Sequence, residues 1–318
     1  MTKIFSISCS KNESDIIETF IRVNSRIVDV FIFIDDSTDS TKIILNKLIE
    51  EGFDILIFGR SDNSPYDQGA IMTSALREGV SLGKTGDFYV PLDCDEFITH
   101  VDKQSFLLEM MGVPKNHVGF QFWITYIPIS ENFNFEKENG IQKSFKQKEK
   151  ADSKFGKIIV PFDLASNIVI GTGSHRAFLI AGGLVDSFVM PSYLAHFPVR
   201  DSLQIIRKTI AALDGLVRKK SRGPQEGFHV YDALRKIIHY EFKISLIELQ
   251  KLAYEYADQH AFANMTLGDY PLWSHDYALK YQNFTNSDQT LDLAETITNL
   301  WKNPFFKSEL LDLQKNDL

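Results

Sequence analysis

Cysteine is scarce in this chain of 318 residues, with only Cys9 and Cys94 present. Two thiols cannot build a disulfide framework, and a reducing compartment suits them. An excess of positive charge is also missing. Lys and Arg total 34 against 42 Asp and Glu, a formal balance of −8. That excludes the broad basic face with which nucleic-acid binders neutralise phosphates. Proline (10) and glycine (18) are too few and too scattered for a low-complexity linker, and no internal repeat is found. No apolar run approaches the ~18 residues of a membrane-crossing helix. Met1-Thr2-Lys3-Ile4-Phe5-Ser6 runs straight into strand-like sequence, so no signal peptide is expected. What remains is ordinary globular composition, 44% hydrophobic and 24% charged, expected to be cytoplasmic with a large core.

The first hundred residues repeat one pattern of apolar run, polar turn and helical stretch. Strands are expected at Lys3–Ser8, Val30–Ile34, Asp54–Phe58 and Phe88–Leu92. Between them lie three helical stretches. One has Asn12 at the N-cap and carries Ile16, Ile17, Phe20 and Ile21; one carries Ile43, Ile44, Leu48 and Ile49 and stops at Gly52; one spans Asp67–Val80. Such alternation predicts βαβ units and a mostly parallel, Rossmann-like sheet flanked by helices. From Val118 the texture changes. Val118–Thr125 reads as an antiparallel strand, followed by short strands at Phe155–Val160, Asn167–Ile170, Ala177–Ile180 and Tyr193–His196. Lys137–Lys157 reads as a basic, mobile loop with seven lysines. Helical sequence follows from Asp201, including segments near Tyr231–Tyr240 and Ser245–Ala261 and a tail at Ser287–Leu318. The expected organisation is therefore 1–200 as an α/β catalytic region and 201–318 as a helical C-terminal region.

In open α/β sheets, ligands sit beyond the carboxyl ends of the strands. The residues there are Cys9-Ser10-Lys11-Asn12, Asp35-Asp36, Gly59-Arg60-Ser61-Asp62 and Asp93-Cys94-Asp95-Glu96. Carboxylates and a lysine at such ends suit a cation and phosphates. Asp93 and Asp95 set two hard oxygen ligands side by side, as Mg²⁺ or Mn²⁺ requires. In Asp35-Asp36-Ser37-Thr38-Asp39, Ser37 or Asp39 is expected to cap the helix from Thr41. That role leaves unexplained the two adjacent aspartates, whose like charges repel. An EF-hand is excluded because the twelfth residue from Asp35 is Asn46.

Four stretches in this order and spacing make a specific pattern: Lys11-Asn12-Glu13-Ser14-Asp15-Ile16-Ile17-Glu18; Ile34-Asp35-Asp36-Ser37-Thr38-Asp39-Ser40-Thr41; Leu92-Asp93-Cys94-Asp95-Glu96-Phe97; and His196-Phe197-Pro198-Val199-Arg200. Together they resemble glycosyltransferase family 2, in the branch with a Lys-Asn-Glu start and an Asp-x-Asp-Glu-Phe motif. The likeness covers roughly Ile4–Lys208. It implies a GT-A fold, a nucleotide-sugar donor (a UDP-sugar by family habit), Mn²⁺ or Mg²⁺, and a glycan or lipid-linked acceptor in surface polysaccharide synthesis. Peripheral contact with the inner face of a membrane is compatible with it.

The resemblance also implies roles for individual residues. Asp35 or Asp36 would bond the base or ribose, with Ser8 and the Cys9–Lys11 segment lining that pocket and Lys11 near the diphosphate. Gln68 would touch the donor. Asp93 and Asp95 would hold the metal, Asp95 more directly, with His196 (alternatively His175) completing the site. Arg176 and Arg200 would meet phosphates or an acidic sugar. Ligation by His196 needs the neutral ring, so metal affinity is expected to fall through pH ~6.5. The family inverts the anomeric centre with a carboxylate base. No Glu-Asp pair stands at the family's distance here, leaving Asp186, with Glu131 and Asp163 as rivals. The alternatives are a nucleotidyltransferase, disfavoured by the absence of glycine in Ser8–Glu13, and a non-catalytic carbohydrate-binding protein of the same fold. A phosphatase is excluded because Asp95 is followed by Glu96-Phe97.

Overall fold

The structure, a computed structural model, describes residues 1–60, 67–130, 144–152, 154–218, 228–256, 267 and 279–281. The four apolar runs form β1 (Ile4–Ser10), β2 (Val30–Asp35), β3 (Ile55–Gly59) and β4 (Phe88–Pro91), all parallel, in the order β3-β2-β1-β4. They are linked by α1 (Ile17–Asn24), α2 (Thr41–Glu50) and α3 (Gln68–Leu82). Alternate residues of β2 serve opposite faces. Phe31 and Phe33 pack with Phe20 of α1 and Ile44, Leu45 and Leu48 of α2. Ile32 and Ile34 pack with Met72, Ala75 and Leu76 of α3. Burial on both faces is why these strands read as continuous apolar runs.

Next come β5 (Glu96–Ile98), α4 (Lys103–Met110), β6 (Val118–Pro128), β7 (Phe145–Gln147), β8 (Gly156–Pro161) and the one-turn α5 (Phe162–Ala165). The β9 (Ile168–Ile170) and β10 (Ala177–Leu179) pair forms a separate two-stranded sheet, and β11 (Ser187–His196) closes the strands. The main sheet runs β3-β2-β1-β4-β8-β6-β11-β5, with β7 on β6. Because β8 is antiparallel to both β4 and β6, and β11 is parallel to β6, strands β3, β2, β1, β4, β6 and β11 all run one way. The fold is thus mixed α/β with a mostly parallel sheet flanked by helices. The carboxyl ends of those six strands share one edge with the amino ends of β8 and β5.

Several elements differ from expectation. Residues 118–125 form part of a longer strand, β6, which is antiparallel to β7 and β8 but parallel to β11. The last strand starts at Ser187 and not at Tyr193. Pro191 lies within it, the register shifts between Val189 and Tyr193, and that irregularity hides the first half of the strand. Asn12 does not cap α1, whose N-cap is Ile16. Ser40 is the N-cap of α2 but its side chain does not cap the helix, while Asp39 Oδ1 accepts from Thr41 N at 2.9 Å. The expected basic loop is in part a built structure. Lys157 belongs to β8 and is fully buried, and Lys148 is buried in an ion pair with Asp152 at 2.8 Å. Lys137 and Lys143 lie outside the described residues, as do the tail helices expected beyond Ser287.

After residue 200 come α6 (Ser202–Arg218), α7 (Phe228–His239) and α8 (Leu246–Tyr254). Ile205, Ile210, Leu234, Ile237, Leu249 and Leu252 form an apolar cluster with Ile127 of β6 and Val199. The helices are thereby fastened beside the strand-end edge. Among the described residues no helix is long and apolar enough to cross a membrane.

Candidate functional site

The first part of the site lies where β1 and β2 end. Asp35 is buried and accepts from Ser10 Oγ and Ser37 Oγ, each at 2.7 Å. Asp36 is exposed and pairs with Lys11 at 3.4 Å and Arg60 at 3.3 Å. The two aspartates avoid mutual repulsion by facing hydroxyls on one side and cations on the other. Asn12 ties the two turns together. Its backbone takes φ 59°, a left-handed conformation that Asn tolerates better than most residues. Its Oδ1 accepts from Thr38 N at 2.8 Å, and its own N–H donates to Ser37 Oγ at 3.0 Å. Glu13 N and Ser14 N donate to Thr41 Oγ1 and Asp39 Oδ2. Ser8 is fully buried, its hydroxyl 3.3 Å from that of Ser6.

The second part surrounds the turn after β4. Asp93 accepts from Gln68 Nε2 at 3.3 Å and from Lys157 Nζ at 2.7 Å. Gln68 Oε1 in turn accepts from Gly173 N at 3.1 Å, linking α3 to the glycine-rich turn that carries His175. Lys157 reaches this edge because β8 begins where β4 ends. Burial would lower its pKa, but Asp93 and Glu96 hold its ammonium above the usual lysine value. Glu96 is fully buried; its Oε2 accepts from Asp93 N at 2.9 Å, its Oε1 lies 3.5 Å from Lys157 Nζ, and burial raises its carboxyl well above the ordinary range.

Asp95 is almost fully buried. Lys208 Nζ of α6 lies 2.5 Å from its Oδ2, and Arg200 Nη1 lies 3.8 Å from the same oxygen. Burial alone would raise this carboxyl, yet Lys208, His196 and Arg200 pull it well below the usual carboxylate range. Its Oδ1 faces His196 Nε2 at 4.0 Å. His196 is the last residue of β11, opposite Glu96 of β5, and its ring stacks on Trp123 at 4.2 Å between centroids. Burial pushes its pKa down to about 3, so the ring is neutral throughout the ordinary pH range. This corrects the expectation of a titration near 6.5. Arg200 is wholly buried and fixed by Asp15 at 2.7 and 3.1 Å, Glu13 at 3.3 Å and the Phe197 carbonyl at 3.2 Å. Those acids lie in the first motif, so Arg200 joins the first and last motifs and is not open to a phosphate. Burial raises Glu13 to about 8.

Two donors 4.0 Å apart are beyond hydrogen-bond range but lie within the span of two ligands on one ion, whose bonds are ~2.1 Å each for Mg²⁺. Among the described residues no group of three or more His, Cys, Asp and Glu side chains is arranged to hold a metal. Asp95 and His196 are two donors at that spacing, and an ion held there would take its other ligands from substrate phosphates or water. Asp93, the other carboxylate expected at the metal, is engaged by Lys157 and Gln68 and is the more exposed of the two aspartates.

Other expected residues fall elsewhere. Asp186 directly precedes β11, at the end opposite His196. Ten residues of strand at ~3.3 Å each separate it from the site, so the structure does not bring it to Asp95. Asp163 follows β8, likewise at the far edge, and Glu131 lies outside the described residues. His175 holds the Gly156 carbonyl through Nδ1 at 2.6 Å, which makes Nε2 its free nitrogen. Its edge meets Trp123, and burial pushes its pKa down to about 4. Arg176 is exposed. Lys157 and Lys208 were not singled out from sequence. Lys157 sits in a lysine-rich stretch, and Lys208 is one of many helical lysines; only the strand order sets them against Asp93 and Asp95.

No protein-family model and no curated protein sequence matches the chain. Among solved structures it is similar to S. aureus TarS 1-349, over 82% of this chain and 93% of that one, at 13% identity and TM-score 0.38. It is similar to mannosyl-3-phosphoglycerate synthase from Rubrobacter xylanophilus over 70% and 78%, at 13% identity and TM-score 0.36. It is also similar to glucosyl-3-phosphoglycerate synthase from Mycobacterium tuberculosis, in complex with Mn²⁺, UDP and glucosyl-3-phosphoglycerate, over 38% and 44%, at 23% identity and TM-score 0.26. The overlap with each is partial, and the functional reading rests on the residues of this chain.

Proposed function

We propose that the chain is a glycosyltransferase of the GT-A type that moves a sugar from a nucleoside-diphosphate donor to a glycan or lipid-linked acceptor. One observation carries the reading. The ends of β1, β2, β4 and β11 and the start of β8 bring Lys11, Asp36, Asp93, Asp95, His196 and Lys157 to a single sheet edge. An edge that alternates carboxylates with ammonium groups suits a ligand that is both polyhydroxylated and anionic.

In this reading Asp36 and Lys11, both part-exposed, receive the nucleoside, with Asp35 and Ser10 fixing their turn. Asp95 and His196 hold Mn²⁺ or Mg²⁺, favouring Mn²⁺ because imidazole nitrogen suits transition metals. The ion, when bound, supplies Lewis-acid stabilisation of the departing nucleoside diphosphate. Lys157 holds Asp93 in place, and Gln68 couples Asp93 to the turn at Gly173. Inversion and a role in surface polysaccharide synthesis follow from the motif resemblance and belong to the proposal. So does the division into an α/β catalytic region, 1–200, and a helical region, 201–318.

The test is release of nucleoside diphosphate from a panel of nucleotide sugars with Mn²⁺ and a set of glycan acceptors. The reading expects diphosphate from at least one donor. Release of pyrophosphate from a nucleoside triphosphate and a sugar phosphate, without transfer, would replace it with the nucleotidyltransferase reading.

A further inference from the structure

Asp95 has two cations on one carboxylate oxygen, and they are not equivalent. Arg200 is fully buried and its guanidinium is committed to Asp15, Glu13 and the Phe197 carbonyl, so it cannot move without breaking three contacts. Lys208 reaches Asp95 from the second turn of α6 on a flexible stem. Its side chain keeps 28% exposure, against 1% for Arg200. Its ammonium also lies over the Tyr256 ring, 5.2 Å from the centroid, an aromatic face that attracts cations. Lys208 is therefore the more accessible and less committed cation of the pair.

An ammonium against Asp95 Oδ2 and a divalent ion between Oδ1 and His196 would be like charges in near contact. In a partly desolvated site such charges repel strongly. Entry of the ion and departure of the ammonium are thus linked. A displaced ammonium at this edge would meet the one strongly anionic part of a nucleotide-sugar donor, its diphosphate.

We infer that Lys208, which pairs with Asp95, exchanges with a divalent ion there: it yields the carboxylate to an ion arriving with a nucleoside diphosphate, and then binds that diphosphate. The inference rests on the glycosyltransferase reading. It makes Lys208 a competitor of the metal and an ally of the nucleotide, two effects of opposite sign that a purely structural lysine would not produce. Linkage requires the same coupling to appear whichever ligand is titrated.

The experiment compares wild type with Lys208→Met, which keeps the stem over Tyr256, and Lys208→Gln, a second neutral variant in case the first does not fold. Mn²⁺ binding is measured by calorimetry without nucleotide, and UDP binding is measured with Mn²⁺ present. In the neutral variants Mn²⁺ alone should bind at least about fivefold tighter, and UDP in Mn²⁺ at least about fivefold weaker. The salt dependence of UDP binding should also flatten. Mn²⁺ affinity that is unchanged or weaker, or UDP affinity that is unchanged, overturns the inference while leaving the transferase reading intact. A wild-type chain that binds neither Mn²⁺ nor any nucleoside diphosphate overturns both.

Discussion

Glu96 and His175 show how burial sets charge at single residues. Glu96 is fully buried, its carboxyl is raised well above the usual range, and its Oε2 accepts from Asp93 N. Glutamine is nearly isosteric with glutamate and keeps an oxygen for that N–H. Glu96→Gln is therefore expected to change stability by less than ~1 kcal/mol, whereas Glu96→Ala, which strands the Asp93 N–H and opens a cavity, should cost about 2–3 kcal/mol. Urea denaturation of the two variants checks the order. His175 is held near a pKa of about 4 against an ordinary 6.5. Between those values the unfolded chain binds the proton and the folded one does not, so acidification favours unfolding. Wild type should lose about 2 kcal/mol between pH 7 and 5 relative to His175→Gln. Equal pH slopes in the two proteins would contradict this.

The turn after β1 is as much a structural clasp as a binding loop. Asn12 sits at φ 59° and holds Thr38 N, so it combines backbone tolerance with a bond across two loops. Asn12→Ala loses the bond and keeps the strained backbone, at an expected cost of about 2–3 kcal/mol; Asn12→Gly relieves the strain and should cost about 1 kcal/mol less. Thermal melting of the pair decides it. The same element shows why some of the fold could be read from sequence. Apolar runs such as Val30–Ile34 announce buried parallel strands because both faces are covered. β5 is only three residues long, β11 is interrupted at Pro191, and Asn12 resembles an N-cap because Asn serves both purposes. Of the site, the carboxylates were legible because adjacent acids at strand ends need a reason. Lys157 and Lys208 were not, because their meaning depends on β8 running antiparallel and on α6 returning over the edge.

For the whole molecule, direction within the sheet matters most. Running β8 and β5 against the other strands places Lys157 and Glu96, which begin or nearly begin their strands, beside Asp93 and His196, which follow or end theirs. The same geometry carries Asp186 and Asp163 to the far edge. The helices after residue 200 are fastened to this edge through Ile127 and Val199 and deliver Lys208 to Asp95. Further along, Lys280 N and Tyr281 N donate to Glu18 of α1 at 2.9 Å, so the chain also returns to the first helix.

The most direct measurement is thermal stabilisation by nucleoside diphosphates with Mn²⁺, in wild type and Asp95→Asn. A ligand at 100 times its dissociation constant adds ~2.7 kcal/mol, a rise of roughly 5 °C for a domain of this size. Wild type should show that rise with at least one nucleoside diphosphate, more with Mn²⁺ than without. Asp95→Asn should fold and show no Mn²⁺-dependent part. Stabilisation that is the same in both proteins, or absent from wild type across the whole panel, would contradict a nucleotide and metal site at the end of β4.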